Sequence, residues 1–198
     1  MLIKTIDLNN TFIGYTGLIF GISYDPATDL IYCSLANGKG FRTIDKNGNV
    51  VAGWQGNGSV SSGMQFIGDS IYVVDTYTKD YQSGTNATQS QLLHTVTVYD
   101  RNNPSVVKSV FSTPDAFPLT YRFTGFTIDN NGYRYFLGYD RVTGNNSTLY
   151  ITDSSGTFIK SISLSSIRGA NGLNIDASGR LVISNSITGQ TYFLNPIF

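Results

Sequence analysis

The feature that most constrains this chain is a pattern that recurs along it. Four segments open with glycine and an alternating run: Gly21-Ile22-Ser23-Tyr24-Asp25, Gly63-Met64-Gln65-Phe66, Gly125-Phe126-Thr127-Ile128-Asp129 and Gly172-Leu173-Asn174-Ile175-Asp176. Alternation of apolar and polar residues marks a half-buried strand. A short polar turn and a second apolar run follow each opening: Leu30 to Leu35, Ser70 to Asp75, Tyr133 to Gly138 and Arg180 to Asn185. Third runs cover Phe41 to Asp45, Val96 to Asp100, Leu149 to Asp153 and Thr191 to Asn195. Fourth runs, Val50 to Trp54, Val106 to Phe111 and Phe158 to Leu164, complete the first three units, while the last stops at Phe198.

The strand missing from the last unit has a counterpart at the other end of the chain. Leu2-Ile3-Lys4-Thr5-Ile6 matches Val106-Val107-Lys108-Ser109-Val110 and Phe158-Ile159-Lys160-Ser161-Ile162 position by position. The opening glycines are 42, 62 and 47 residues apart, and the wrap from Gly172 through the termini to Gly21 is another 47. Four-stranded units of about 45 residues are the signature of β-propeller blades. The expected fold is therefore all-β: a four-bladed β-propeller closed by pairing the N-terminal strand with the C-terminal blade. It forms a single domain over residues 1–198, with blades at about 9–54, 55–111, 112–164, and 165–198 plus 1–8. An open array that exchanges its terminal strand with a neighbour, giving an eight-bladed dimer or a polymer, is the alternative.

Composition points the same way. All thirteen acids are aspartates, and Asp belongs to turns where Glu would favour helix. Thirteen basic residues balance them to a net charge of zero, which argues against a nucleic-acid or anionic-membrane partner. Cys33 is the single cysteine and sits in the apolar run Leu30-Ile31-Tyr32-Cys33, so it reads as a buried thiol. The start, Met1 to Leu8, alternates like a strand and lacks the charged and apolar regions of a signal peptide.

The repeat resembles the NHL and SMP-30-like superfamily of propellers. The likeness lies in the Gly-apolar-x-apolar-Asp opening, a turn with Gly, and the strand Ile71-Tyr72-Val73-Val74-Asp75. Members of that superfamily usually carry six blades, and this chain has four units. The resemblance to SMP-30-like lactonases implies a divalent metal with Glu among its ligands. This chain has no Glu, so metal-dependent lactonase chemistry is not expected.

Most aspartates have a turn explanation. Asp25, Asp29, Asp45, Asp69, Asp100, Asp129, Asp153 and Asp176 lie in or beside hairpin turns such as Asp153-Ser154-Ser155-Gly156, where Asp bonds its own backbone and Gly takes positive φ. Asp7, Asp75, Asp80, Asp115 and Asp140 are left with freedom to do something else. Two long loops on one propeller face are expected, Thr76 to Leu93 and Tyr139 to Ser147. Long loops on a rigid scaffold are where binding resides. The ligand-binding candidates there are Asp75, Tyr77, Lys79, Asp80, Tyr81, Tyr139, Asp140 and Arg141. The inter-blade stretch adds Tyr121 and Arg122, with Phe117 beside them. Rings that stack beside groups that orient suit protein or carbohydrate.

No catalytic or metal residues are assigned. One His and one Cys make no zinc cluster, His94 reads as a structural or surface residue, and Trp54 reads as blade packing. No cofactor is expected, although a structural Ca²⁺ on channel carbonyls stays open. The composition, rich in Asn, Ser, Thr and Tyr, resembles virion and extracellular filament proteins. The leading expectation is a non-enzymatic structural or adhesive module. Its partners are other protein chains in an assembly and cell-surface glycan. Its location is a virion or extracellular surface reached without a classical signal peptide, and otherwise the cytoplasm. A sugar- or lactone-directed hydrolase or lyase using Asp75, Asp140 and His94, with Arg141 or Arg122 assisting, is one alternative. A small-ligand or ion-binding propeller is the other.

Overall fold

The computed structural model describes residues 19–35, 41–54, 60–82, 88–112, 117, 121–140, 147–167, 169–185 and 187–195. They form four antiparallel sheets, each built from strands consecutive in sequence. The first contains β1 (Ile19–Asp25), β2 (Leu30–Leu35), β3 (Phe41–Ile44) and β4 (Val50–Trp54). The second contains β5 (Val60–Ile67), β6 (Ser70–Gln82), β7 (Thr88–Asp100) and β8 (Val107–Ser112). The third contains β9 (Tyr121–Ile128), β10 (Arg134–Asp140), β11 (Ser147–Thr152) and β12 (Phe158–Ser163). The fourth contains β13 (Ala170–Ile175), β14 (Leu181–Asn185) and β15 (Thr191–Leu194). This is the four-bladed β-propeller. The strand expected to complete the fourth blade, Leu2 to Ile6, lies outside the described residues.

The blades stack face to face through their innermost strands, β1 on β5, β5 on β9 and β9 on β13. The apolar core accordingly lies between sheets. Tyr32 and Phe41 of the first blade meet Met64, Ile71 and Tyr99 of the second. Val74 and Val96 of the second meet Phe126, Phe136 and Ile128 of the third, with Phe117 inserted among them. Tyr135, Leu137 and Ile151 of the third meet Leu181 and Ile183 of the fourth. Blade middles are buried on both faces, which is why β11 is buried throughout while the outer strand β8 is almost wholly exposed.

One turn design closes the hairpins. Asp45, Asp129, Asp153 and Asp176 each accept two backbone N–H bonds, from the residues two and four places on, at 2.8–2.9 Å. The glycine three places on adopts positive φ, 90° at Gly48, 86° at Gly132, 93° at Gly156 and 77° at Gly179. A side chain at these positions is strained, so Asp-x-x-Gly is a physical requirement of this corner. The turn reading of these four aspartates is thus what the geometry shows.

The long loop expected from Thr76 to Leu93 is instead the far end of a hairpin. β6 and β7 stay in register from Ser70↔Asp100 out to Gln82↔Thr88. Thr76-Tyr77-Thr78 and Thr88-Gln89-Ser90-Gln91-Leu92-Leu93 hold neither Pro nor Gly, and Thr and Tyr favour strands, so nothing in either run stops the ladder.

Candidate functional site

The blades present two faces, one carrying the β1–β2 and β3–β4 type turns and the other the connections between β2 and β3 and between blades. On the second face the β6–β7 hairpin extends beyond its blade. It places Asp75, Tyr77, Lys79, Asp80 and Tyr81 at register positions opposite Thr95, Leu93, Gln91, Ser90 and Gln89. These five candidates therefore belong to a paired strand rather than to an irregular loop. His94 stands opposite Thr76 on the same ladder.

The remaining candidates gather on the third blade. The register pairs Tyr139 with Arg122 and Asp140 with Tyr121, so these four share one strand end. All four are half-buried. Tyr121 packs edge-on against Tyr150 with ring centroids 5.4 Å apart, and its hydroxyl lies 3.2 Å from Thr148 Oγ1. Burial pushes the Tyr150 phenol well above its ordinary range, and Tyr121 and the Asp140 carboxylate push it further. Arg141 lies outside the described residues, as does the connection from 141 to 146. Phe117 is no surface ring: it is 3% exposed and touches Phe123, Phe136 and Tyr150.

The turn face holds two features that sequence reasoning missed. Asp25 is fully buried, and beyond its turn bonds to the Ala27 N–H and Thr28 hydroxyl it binds Arg101 of the next blade through both carboxylate oxygens. Arg101 Nη1 also donates to the Gly68 carbonyl at 2.8 Å, and the guanidinium lies 5.7 Å from the Phe66 ring. At the next junction the equivalent positions, the fifth residue from the opening glycine and the residue after the turn aspartate, are Ile67 and Ser154. There a cavity of about 460 Å³ opens, lined by Phe66, Ile67, Tyr72, Asn130, Arg134 and Ser154 among others. Arg134 lies across it with its guanidinium 4.1 Å from the Phe111 ring centre and Nη2 donating to the Ser154 carbonyl at 2.7 Å. Burial lowers the Arg134 pKa, while Tyr72 and Asp153 raise it. The lining combines the Phe66 and Tyr72 rings, the Gln65 and Asn130 amides, the Arg134 cation and Asp129, and it holds no histidine or cysteine. The signal for both features was available: an Arg directly after Asp100 and an Arg at a position held by Ile71 and Leu181 in other blades.

Among the described residues no three His, Cys or Asp side chains gather as a metal would need. Cys33 is buried, and burial raises its thiol to about 11.

No protein-family model matches the chain, and no curated protein matches it. Solved structures do. The β-propeller domain of Myceliophteria thermophila Cps50 (Swd1) matches with a TM-score of 0.52 at 12% identity, over 89% of this chain and 50% of that one. What the matches share with this chain is the propeller fold. Myxococcus xanthus glutaminyl cyclase gives a TM-score of 0.61 at 12% identity, over 91% of this chain and 73% of the other. A chain of a nidogen/laminin complex gives 0.60 at 17% identity over 91% of this chain, which spans only 61% of that chain's length. At such identities the likeness carries architecture and no activity.

Proposed function

We propose that the chain is a non-enzymatic structural and adhesive binding module, a component of a virion or extracellular assembly that contacts protein or glycan. The observation that carries this reading is the β6–β7 hairpin, with two strands of 13 residues where the second and third strands of the other blades have four to seven. A paired arm projecting from a rigid stack is suited to reaching a partner, because its ladder is already ordered and little conformational entropy is lost on contact. Its sequence, rich in Thr, Tyr, Gln and Ser, supports polar recognition with rings to stack. Tyr121, Arg122, Tyr139 and Asp140 on the neighbouring blade extend that surface. Neutral charge and the Asn, Ser and Thr content support an exterior location, and the repeat motif supports an NHL or SMP-30-like type of propeller. A similar fold occurs in a nidogen/laminin complex, an assembly of proteins.

The test replaces Tyr77 to Leu93 by Asn-Gly, a two-residue turn suited to this hairpin. Wild type and variant are then compared for binding to a glycan array and to intact cells. Loss of at least tenfold in binding, with a melting temperature within a few degrees of wild type, is the expected result. Undiminished binding by the variant, or turnover of a sugar or lactone by the wild type, overturns the reading.

A further inference from the structure

The third residue after the opening glycine pairs across its blade with Ile71 in the second blade, Arg134 in the third and Leu181 in the fourth. Ile71 and Leu181 are 1% and 2% exposed and belong to the apolar layers of the first and third junctions. The second junction therefore has a cation where its neighbours have a core residue, and the cavity of about 460 Å³ opens beside it.

An arginine carries a fork of N–H donors and a charge that burial makes costly unless an anion or acceptors meet it. Two other arginines of the turn face find their anion within the chain: Arg101 holds Asp25, and Arg180 holds Asp176 at 2.7 Å. Arg134 pairs with no carboxylate among the described residues. It donates to the Ser154 carbonyl, and its guanidinium lies over the Phe111 ring. Asp129 also lines the cavity, but its oxygens are engaged: Oδ1 accepts the Asn131 and Tyr133 N–H groups and Oδ2 the Tyr135 hydroxyl. Asp153 is bonded in the same way within its own corner. The Gln65 amide is spent across the junction on the Ile128 backbone and the Thr127 hydroxyl. The cavity is thus left with the other donors of Arg134, the Asn130 amide and the Ser154 hydroxyl, against an apolar wall of Ile67, Tyr72 and Ile128.

We propose that this cavity is a binding site for a small monocarboxylate carried on a six-membered ring, with the carboxylate on Arg134 and the ring against Ile67 and Tyr72. A guanidinium fork matches a carboxylate in shape and charge, and the apolar wall suits the body of the ligand. The volume falls within the range of about 300–1,000 Å³ that small-ligand sites occupy. Asp129 in the lining and Asp153 beside it oppose a second negative charge, so the site admits a monoanion and disfavours phosphate. The cavity lies on the turn face and the β6–β7 hairpin on the other, so this inference does not rest on what the hairpin binds.

The experiment titrates the whole chain and follows its amide chemical shifts by NMR. The probes are benzoate and glucuronate, which carry the same carboxylate on an aromatic and on a sugar ring, and methyl benzoate, which carries no charge. At least one carboxylate should give saturable shifts centred on Asn130, Arg134 and Ser154, and the tighter of the two identifies the ring. Methyl benzoate should bind at least tenfold more weakly than benzoate, and inorganic phosphate should not displace the bound carboxylate. Arg134→Met should lose at least tenfold in affinity, while Arg180→Met, whose arginine already holds a carboxylate of the chain, should stay within twofold of wild type. No saturable shift with either carboxylate overturns the inference, as do shifts centred away from the cavity or displacement by phosphate. An ester that binds as tightly as benzoate, or binding kept by folded Arg134→Met, overturns it too. The ester and phosphate comparisons use the wild-type chain, so they decide the matter even if Arg134→Met fails to fold.

Discussion

The junction of the first and second blades and that of the second and third are built on the same strand positions, yet their turn faces end differently. The first is sealed by charge: buried Asp25 grips Arg101, which also caps the Gly68 carbonyl. The second has Ile67 and Ser154 at those places and Thr152 where the first has Tyr99, and it leaves a cavity spanned by Arg134. Its cohesion comes from deeper in, from Phe117, Phe123, Phe126, Phe136 and Tyr150. A propeller junction thus needs one continuous apolar layer, and its rim is free to vary between a sealed pair and an open pocket. That freedom is where a repeat acquires individual sites.

The contrast predicts very different costs for the two arginines. Arg101→Met leaves the Asp25 carboxylate, 0% exposed, without its cation. Breaking such a buried pair costs about 3–5 kcal/mol, whereas replacing both partners costs far less. Denaturant titration should show that loss for Arg101→Met and recovery of most of it in Asp25→Asn/Arg101→Met, where Asn keeps an acceptor for the turn. A loss below about 1 kcal/mol in the single variant would mean that charge does not seal the first junction.

Arg134→Met should cost less, about 1–2 kcal/mol, because it forfeits one hydrogen bond to a carbonyl and one stacking contact but strands no carboxylate. The same titration checks it. A cost equal to that of Arg101→Met would show that the two rims are energetically alike and erase the distinction drawn between them.

How much of this was legible beforehand follows from the physics of each feature. Strand order and blade number came from local periodicity, and the corners from Asp-x-x-Gly, because a strand's alternation and a turn's backbone demands are written within a few residues. The Asp25–Arg101 pair joins residues 76 apart in sequence, so nothing local announced it, and Asp25 was assigned to its turn alone. Phe117 stands in the sequence beside the inter-blade candidates with nothing local to mark it as core, because burial of a lone aromatic depends on which blades flank it. The β6–β7 extension escapes the sequence for a different reason: polar strand residues such as Thr76 and Gln89 give weak alternation, and the ladder there continues the register of the blade rather than forming on an apolar face of its own. Arg134 was visible as an oddity at an aliphatic position, yet the hollow it crosses exists only through the absence of Tyr and Arg on the facing rim.

The smallest expected effect concerns what the blades share. The same Asp-x-x-Gly corner recurs on the first and third blades, and hydrogen bonds within it hold Asp45 and Asp153 below the ordinary carboxylate value of 3.8, chiefly through Asn49 at Asp45 and Ser155 at Asp153. A depressed pKa in the folded state means that the unfolded chain takes up the proton first as pH falls. The stability these groups supply is therefore present above the unfolded value and is lost as pH drops through the folded one. The melting temperature should stay level from pH 7 to about 5 and then decline. Both residues are only partly buried and their carboxylates bond their own corner alone, so Asp153→Asn should change the melting temperature little at neutral pH, make the acid decline slightly shallower, and approach wild type at the acid end. Asp45→Asn should behave alike, since the two corners have the same geometry whichever blade carries them. A difference between the two variants would mean that the cavity beside Ser154 reaches the Asp153 corner electrostatically, and the rims would then differ in their turns as well as in their arginines.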